Sequence, residues 1–260
     1  MPEESYEAIR TLLTSSETEE LRRGLELARQ EIPRASPDQA KSLFEAVSTL
    51  FYIDLLDRPD LVPIVDEAVS LAAELGEWVI HTLIENLEAG DLKAQMAVSH
   101  AIGRIGAKAI GPLIAEYQKT TDPTHRTFVM YAMGKIKSAE IVRAAHLALE
   151  AAQSDDLELR DTATRAIGKF VEVIPAADLP EDLRAAFIAA LQRNLADPNA
   201  GIRAKAVRSL GKLARYGHLT AEEREKLKSL CQLILGVDGN WEWDRAYIVR
   251  REAREALNYT

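Results

Sequence analysis

Apolar and small residues recur along this chain at helical spacing, and the pattern copies itself. In GIRAKAVRSLGKLARYG, residues 201–217, the side chains of Ala206, Val207, Leu210, Leu213 and Ala214 fall on one face of a helix. The core of that stretch, IRAKAVRSLGKL at 202–213, returns as LRDTATRAIGKF at 159–170, HRTFVMYAMGKI at 125–136 and AQMAVSHAIGRI at 94–105. A weaker copy, VRREAREALNYT, closes the chain at 249–260. Aligned on the apolar residue before the glycine, the copies are anchored at Ile102, Met133, Ile167, Leu210 and Leu257, in steps of 31, 34, 43 and 47 residues. Uneven periods of this size mark stacked helix pairs rather than a single bundle.

A second helix is predicted between successive copies, at 77–89, 107–119, 138–152, 181–195 and 221–235. LGEWVIHTLIENL at 75–87 matches IGAKAIGPLIAEY at 105–117, so these helices repeat too. Gly90-Asp91, Asp122-Pro123, Ser154 to Asp156, Asp197 to Asn199 and Gly236 to Asn240 supply the breaks, and several of these residues suit helix N-caps. Upstream, helices are expected near 3–14, 17–31, 36–56 and 60–75, separated by Pro33, Pro37 and Pro59. The whole reads as about fourteen helices in about seven hairpins. Gly103, Gly134, Gly168 and Gly211 share one register position. A glycine inside a helix costs about 1 kcal/mol against alanine, so four in register point to a close helix contact.

DPNAGIRAKAVRSLGKLA resembles the second helix of a HEAT repeat, nearest the short bacterial type named after the phycobilisome lyases. The resemblance covers about residues 60–260. It implies an all-α fold, a right-handed α-α superhelix, as one solenoid over 1–260 in which 1–58 are irregular capping helices and 59–260 regular repeats. It also implies an Asp-Arg ladder along the stack, matched by Asp197 with Arg203 and Asp244 with Arg250, and at shorter spacing by Asp122 with Arg126 and Asp155 with Arg160. Gln95 stands in the Arg position of the first good copy. Most proteins of this kind are protein-binding scaffolds. The enzymes among them leave testable marks. The His-Glu pairs of iron-binding deoxyhypusine hydroxylases are absent, because His81, His100, His125, His146 and His218 are followed by Thr, Ala, Arg, Leu and Leu.

Composition narrows the function further. Residues 1–90 carry 7 Lys/Arg against 19 Asp/Glu, and the rest 25 against 22, for a formal net charge of −9. An acidic chain argues against wrapping nucleic acid, including in the manner of the HEAT-like DNA glycosylases. The single cysteine, Cys231, excludes an internal disulfide and reads as a small buried hydrophobe. No signal peptide and no membrane span are read, and a cytoplasmic setting is expected. No catalytic motif, metal site or cofactor site is found, and no catalytic residue is assigned.

Against this acidic background, 201–217 holds five cations and no carboxylate. Carried across the copies, the position two residues after the anchor holds Arg104, Lys135, Lys169 and Lys212. The position two residues before it holds His100, Tyr131, Arg165 and Arg208. If these helices line the concave face, the two columns form a basic groove for a protein partner with an acidic surface. The bland alternative is a solvated helix face. A phycobilisome-lyase-type enzyme or chaperone acting on a cofactor-bearing protein is the rival reading, and a nucleic-acid-binding solenoid the third. The acidic first third could hold a second, basic partner. Trp241 and Trp243, in VDGNWEWDRAY at 237–247, are a secondary candidate loop, alternatively a cap on the open end of the stack. Trp78 is expected in the core.

Overall fold

In the computed structural model, residues 3–88, 91–237 and 243–260 are described. Among them every regular element is helical, as the alanine- and leucine-rich faces require. No helix among the described residues is long and apolar enough to cross a membrane. The predicted breaks at Gly90 and Gly239-Asn240, together with Trp241, lie outside the described residues. Chain contacts divide the molecule into two compact units, Met1–Leu113 and Ile114–Thr260.

The first unit contains α1 (Glu3–Leu13), α2 (Thr18–Glu31), α3 (Pro37–Ser48), α4 (Val62–Glu74), α5 (Val79–Glu85) and α6 (Leu92–Ile105); α7 (Ile110–Lys119) contains the boundary. Within this unit α2 packs on α4 and α4 on α6. Ser36 opens α3 with a capping box closed by Gln39, and Asp91 caps α6 through the Lys93 and Ala94 amides. The helix expected over 36–56 stops early. After Ser48 the chain tightens into a 3-10 turn, Thr49–Tyr52, and leaves the helix at Ile53. The hydroxyls of Ser48 and Thr49 donate to the Glu45 and Ala46 carbonyls, offering the last turn a local alternative to α-helical bonding.

The second unit continues with α8 (Pro123–Met133), α9 (Ala145–Ala151), α10 (Leu157–Phe170), α11 (Glu181–Asn194), α12 (Ala200–Arg215), α13 (Ala221–Leu235) and α14 (Tyr247–Ala256). The repeat copies form one stacked row, α8 on α10, α10 on α12, α12 on α14. The intervening α9 and α11 pack on each other and against that row. Asp122, Asp156 and Asn199 cap α8, α10 and α12. The predicted helix over 138–152 begins instead as a 3-10 turn, Ala139–Ala144, before α9.

Two of the four glycines in register, Gly168 and Gly211, mark close approaches; at Gly134 a Cβ would stand 3.9 Å from Ala166 Cα, an ordinary contact. A Cβ placed on Gly168 would lie 3.0 Å from Ser209 Cβ and 3.2 Å from Ser209 Cα. One on Gly211 would lie 3.0 Å from Ala256 Cβ. Gly168 and Gly211 therefore each admit the backbone of the next helix in the row, which is why a residue poor at making helices sits there. The same interface carries a satisfied polar network. Asn194 donates to the Ala152 carbonyl and the Thr164 hydroxyl, and Ser209 to the Thr164 carbonyl. Cys231 is buried, and burial pushes its thiol up to about 12. Trp78 departs from its expected place. It precedes α5, lies edge-on to Phe44 with centroids 5.9 Å apart, and is 43% exposed. Only one side of a residue at a helix start faces the core.

Candidate functional site

The cations of α12 are matched to carboxylates on the two helices it packs between. Lys205 pairs with Asp161 of α10, and Arg208 grips Glu252 of α14 with two bonds of 2.8 and 2.6 Å. Lys212 reaches Glu172, just past α10, at 2.5 Å, and Arg203 reaches Asp244 at 2.7 Å. Arg215 lies against the rings of Tyr216 and Tyr259. The segment lacks acids of its own because its partners come from its neighbours.

The predicted stripe divides accordingly. In the first unit, Arg104 pairs with Asp66 and donates to the Asp66 carbonyl at 3.1 Å, and His100 is exposed. In the second unit, Lys169 bonds Glu172 at 3.0 Å and shares that carboxylate with Lys212. Tyr131 is flanked by Lys135 at 4.6 Å and Arg165 at 5.7 Å from its ring centroid. Among the described residues Arg165 has this aromatic neighbour and no carboxylate partner. Tyr131, Lys135, Arg165 and Lys169 line one shallow depression with Met130 and Gly134. Arg104, Lys169, Arg208 and Lys212 thus neutralise the chain's own acids, while Tyr131 and Arg165 stand out from the row. One sequence signal was available: Glu252 occupies, in the last copy, the position Lys205 holds in α12.

These ion pairs set an acid limit on stability. Burial pushes the Glu172 carboxyl up, but hydrogen bonds from Lys212 and Lys169 outweigh it and hold the group below its ordinary 4.5. Glu252 is held down in the same way, burial being outweighed by Arg208 and Arg251. Burial pulls Lys212 below its usual range despite its Glu172 partner, so it is poorly placed as a solvent-facing cation. A carboxylate depressed in the folded state contributes stability above its unfolded pKa, and that stability is lost as the pH falls through the folded value. Urea unfolding followed from about pH 7 to about pH 3 should show stability falling below about 4.5. Glu172→Gln should be less stable at neutral pH and show a flatter acid limb. An acid limb of unchanged slope would remove Glu172 as its source.

Elsewhere in the first unit lies a feature that sequence reasoning missed. The segment Phe51–Leu56, α4 and α6 enclose a groove of about 480 Å³, with Phe51, Val65, Val69 and Ala97 among its lining. Leu56 stands at it 89% exposed, and Val62 and Met96 are also exposed. Asp54 and Asp66 line it too, Asp54 pairing with Lys93. No periodic signal marks this groove, because it exists only where the predicted 36–56 helix stops short. At the other candidate loop, Trp243 is 45% exposed with the Arg250 guanidinium 4.6 Å above its ring. Among the described residues no three His, Cys, Asp or Glu side chains are placed to hold a metal ion.

No protein-family model matches the chain, and no curated protein does. Solved structures do. The complex of CpcE and CpcF of phycocyanin lyase from Nostoc sp. PCC7120 matches at 20% identity and a TM-score of 0.54, over 68% of this chain and 97% of that one. An archaeal HEAT-like repeats protein from Thermococcus onnurineus NA1 matches at 15% identity and a TM-score of 0.52, over 98% and 96%. An engineered protein matches at 15% identity and a TM-score of 0.50, again over 98% and 96%. The fold is a HEAT-like repeat solenoid.

The expected HEAT ladder is present in the second unit, with a different pairing. Asp197 and Arg203 do not form an ion pair with each other. The Arg203 guanidinium donates to the Asp197 backbone carbonyl at 2.9 Å, and Arg250 to that of Asp244 at 2.7 Å. The carboxylates reach back one repeat, Asp197 to Arg160 at 2.8 Å and Asp244 to Arg203 at 2.7 Å. Asp122 spends its carboxylate on the cap of α8, and Arg126 bonds the Thr120 carbonyl and Glu150. Asp155 offers Arg160 its backbone carbonyl at 3.2 Å. Arg160 and Arg203 therefore each secure their own turn and, through a carboxylate, the adjoining repeat.

Proposed function

We propose that this chain is a non-catalytic scaffold that holds a partner protein against its stacked row of helices, with an acidic patch of that partner seated at Tyr131 and Arg165 of the second unit. The observation that carries this is Arg165, which among the described residues meets Tyr131 and no carboxylate, in a row whose other cations mostly meet acids of the chain itself. Tyrosine and arginine are the residue types that dominate binding energy at protein interfaces. An acidic partner would also gain on-rate from the net positive α8 and α12. Of the remaining stripe residues, Lys135, Lys169, Arg208 and Lys212 of the second unit belong to the proposal with that pair, Lys135 and Lys169 lining the same depression, whereas His100 and Arg104 lie in the first unit.

The test is a capture experiment on the full chain with Tyr131→Ala/Arg165→Glu. The variant should lose a protein that wild type retains, at unchanged helicity and melting temperature. Identical captures would remove this site. Reversing Arg104, Lys169 or Lys212 would be a poorer test, because each reversal breaks an ion pair of the fold. The likeness to the phycocyanin lyase complex favours a second reading, an enzyme or chaperone of that type acting on a cofactor-bearing protein. A coloured species copurifying with the full chain would favour it.

A further inference from the structure

The groove of the first unit has the chemistry of a receptor, and its lining restricts what can occupy it. Its floor is apolar, and Leu56, Val62 and Met96 expose apolar surface at its edge. Clustered exposure of this kind marks an interaction site more often than scattered single residues do. The lining contains no amide and no hydroxyl side chain. Its polar side chains are Asp54, Asp66, Lys93 and His100, of which the first three are already held in ion pairs, so an extended peptide laid there would leave most of its backbone N–H and C=O groups without partners, and no strand edge exists among the described residues to pair with it. A helix satisfies its backbone internally and presents only side chains. Charge selects further. Residues 1–113 carry 10 Lys/Arg against 20 Asp/Glu. At the groove Asp54 and Asp66 are balanced by Lys93 and Arg104, and exposed Asp57 lies in the adjoining segment. The field of the unit therefore attracts cations, repels anionic lipid surfaces and opposes a second copy of the same unit.

We infer that this groove binds one amphipathic helix of a partner protein, apolar along one face and bearing Lys or Arg beside it. Apolar side chains at i, i+3 or i+4, and i+7 enter between α4 and α6, and the flanking cations face the acidic unit. The groove shares no residue with the depression at Tyr131 and Arg165, so losses at the two are distinguishable: a variant at Leu56 tests this inference and leaves the reading for the second unit standing, and the reverse holds for Arg165.

The experiment uses the full chain and two fluorescein-labelled synthetic helices of one apolar pattern, leucine on one face, with lysine on the polar face of the first and glutamate on that of the second. Fluorescence anisotropy should show binding of the lysine helix at least tenfold tighter than of its glutamate twin. Leu56→Asp, at a position too exposed to matter for folding, should weaken the lysine helix at least tenfold at unchanged melting temperature. That substitution adds negative charge, so mere electrostatic attraction would strengthen instead. Unchanged or tighter binding by Leu56→Asp, or equal binding of both helices, overturns the inference. So does a dimer in sedimentation that Leu56→Asp dissolves, which would make the occupant a second copy, and so does binding of an apolar dye that the lysine helix cannot displace, which would make it a small ligand.

Discussion

Asp197→Ala will destabilise the second unit by about 3 kcal/mol, the cost of leaving one member of a buried ion pair without its partner. The Asp197 side chain is 6% exposed, with one oxygen on Arg160 at 2.8 Å and the other accepting from the Asn199 amide at 2.8 Å. Removing it leaves the Arg160 guanidinium, itself largely covered, with backbone carbonyls but no countercharge, and loosens the turn that starts α12. Asp197→Asn, which keeps a carbonyl oxygen for the Asn199 amide, should cost less. Urea unfolding of both variants checks the order. Loss of less than about 1 kcal/mol in Asp197→Ala would place the pair among surface ion pairs of small value.

Gly168→Leu will destabilise the same unit by about 3 kcal/mol or prevent folding, because overpacking a tight helix contact displaces backbone as well as side chains. The obstacle is Ser209, whose Cβ and Cα lie 3.0 and 3.2 Å from where a Cβ on Gly168 would stand. The hydroxyl of Ser209 is also tied to the Thr164 carbonyl at 3.0 Å, so it cannot yield without losing that bond. Gly168→Ala separates contact from helix propensity. Alanine favours the helix by about 1 kcal/mol over glycine, so a net loss on thermal unfolding must come from the clash. A double-mutant cycle with Ser209→Gly should then show coupling between the two positions. An unchanged melting temperature in Gly168→Leu would contradict the close packing.

Helices were legible because their signals are local. The anchors Ile102, Met133, Ile167 and Leu210 are all buried, and the aspartate caps expected at the breaks are in place at Asp91, Asp122 and Asp156, while at the fourth break the cap is Asn199 rather than Asp197. The in-register glycines announced the contacts of Gly168 and Gly211 with the next helix. What periodicity could not show was the partner of each charge. Lys205, Arg208 and Lys212 read as cations open to an acidic partner or to solvent because their acids, Asp161, Glu252 and Glu172, lie about 40 residues away in sequence. The groove of the first unit was illegible for a related reason. Its walls come from three separate segments, and one exists because a helix ends at Ser48.

By itself, then, the sequence determined an all-helical, repeating chain with its apolar stripes, caps and close-contact glycines, since each depends on spacing within one helix or one turn. Only the tertiary structure decided which cations are neutralised, where the Asp-Arg ladder reaches, that Arg165 has an aromatic neighbour but no acid among the described residues, and that an apolar groove opens at Leu56. Those outcomes depend on which helices become neighbours, and electrostatic and packing energies are set by distances of a few ångströms that a repeat pattern does not encode.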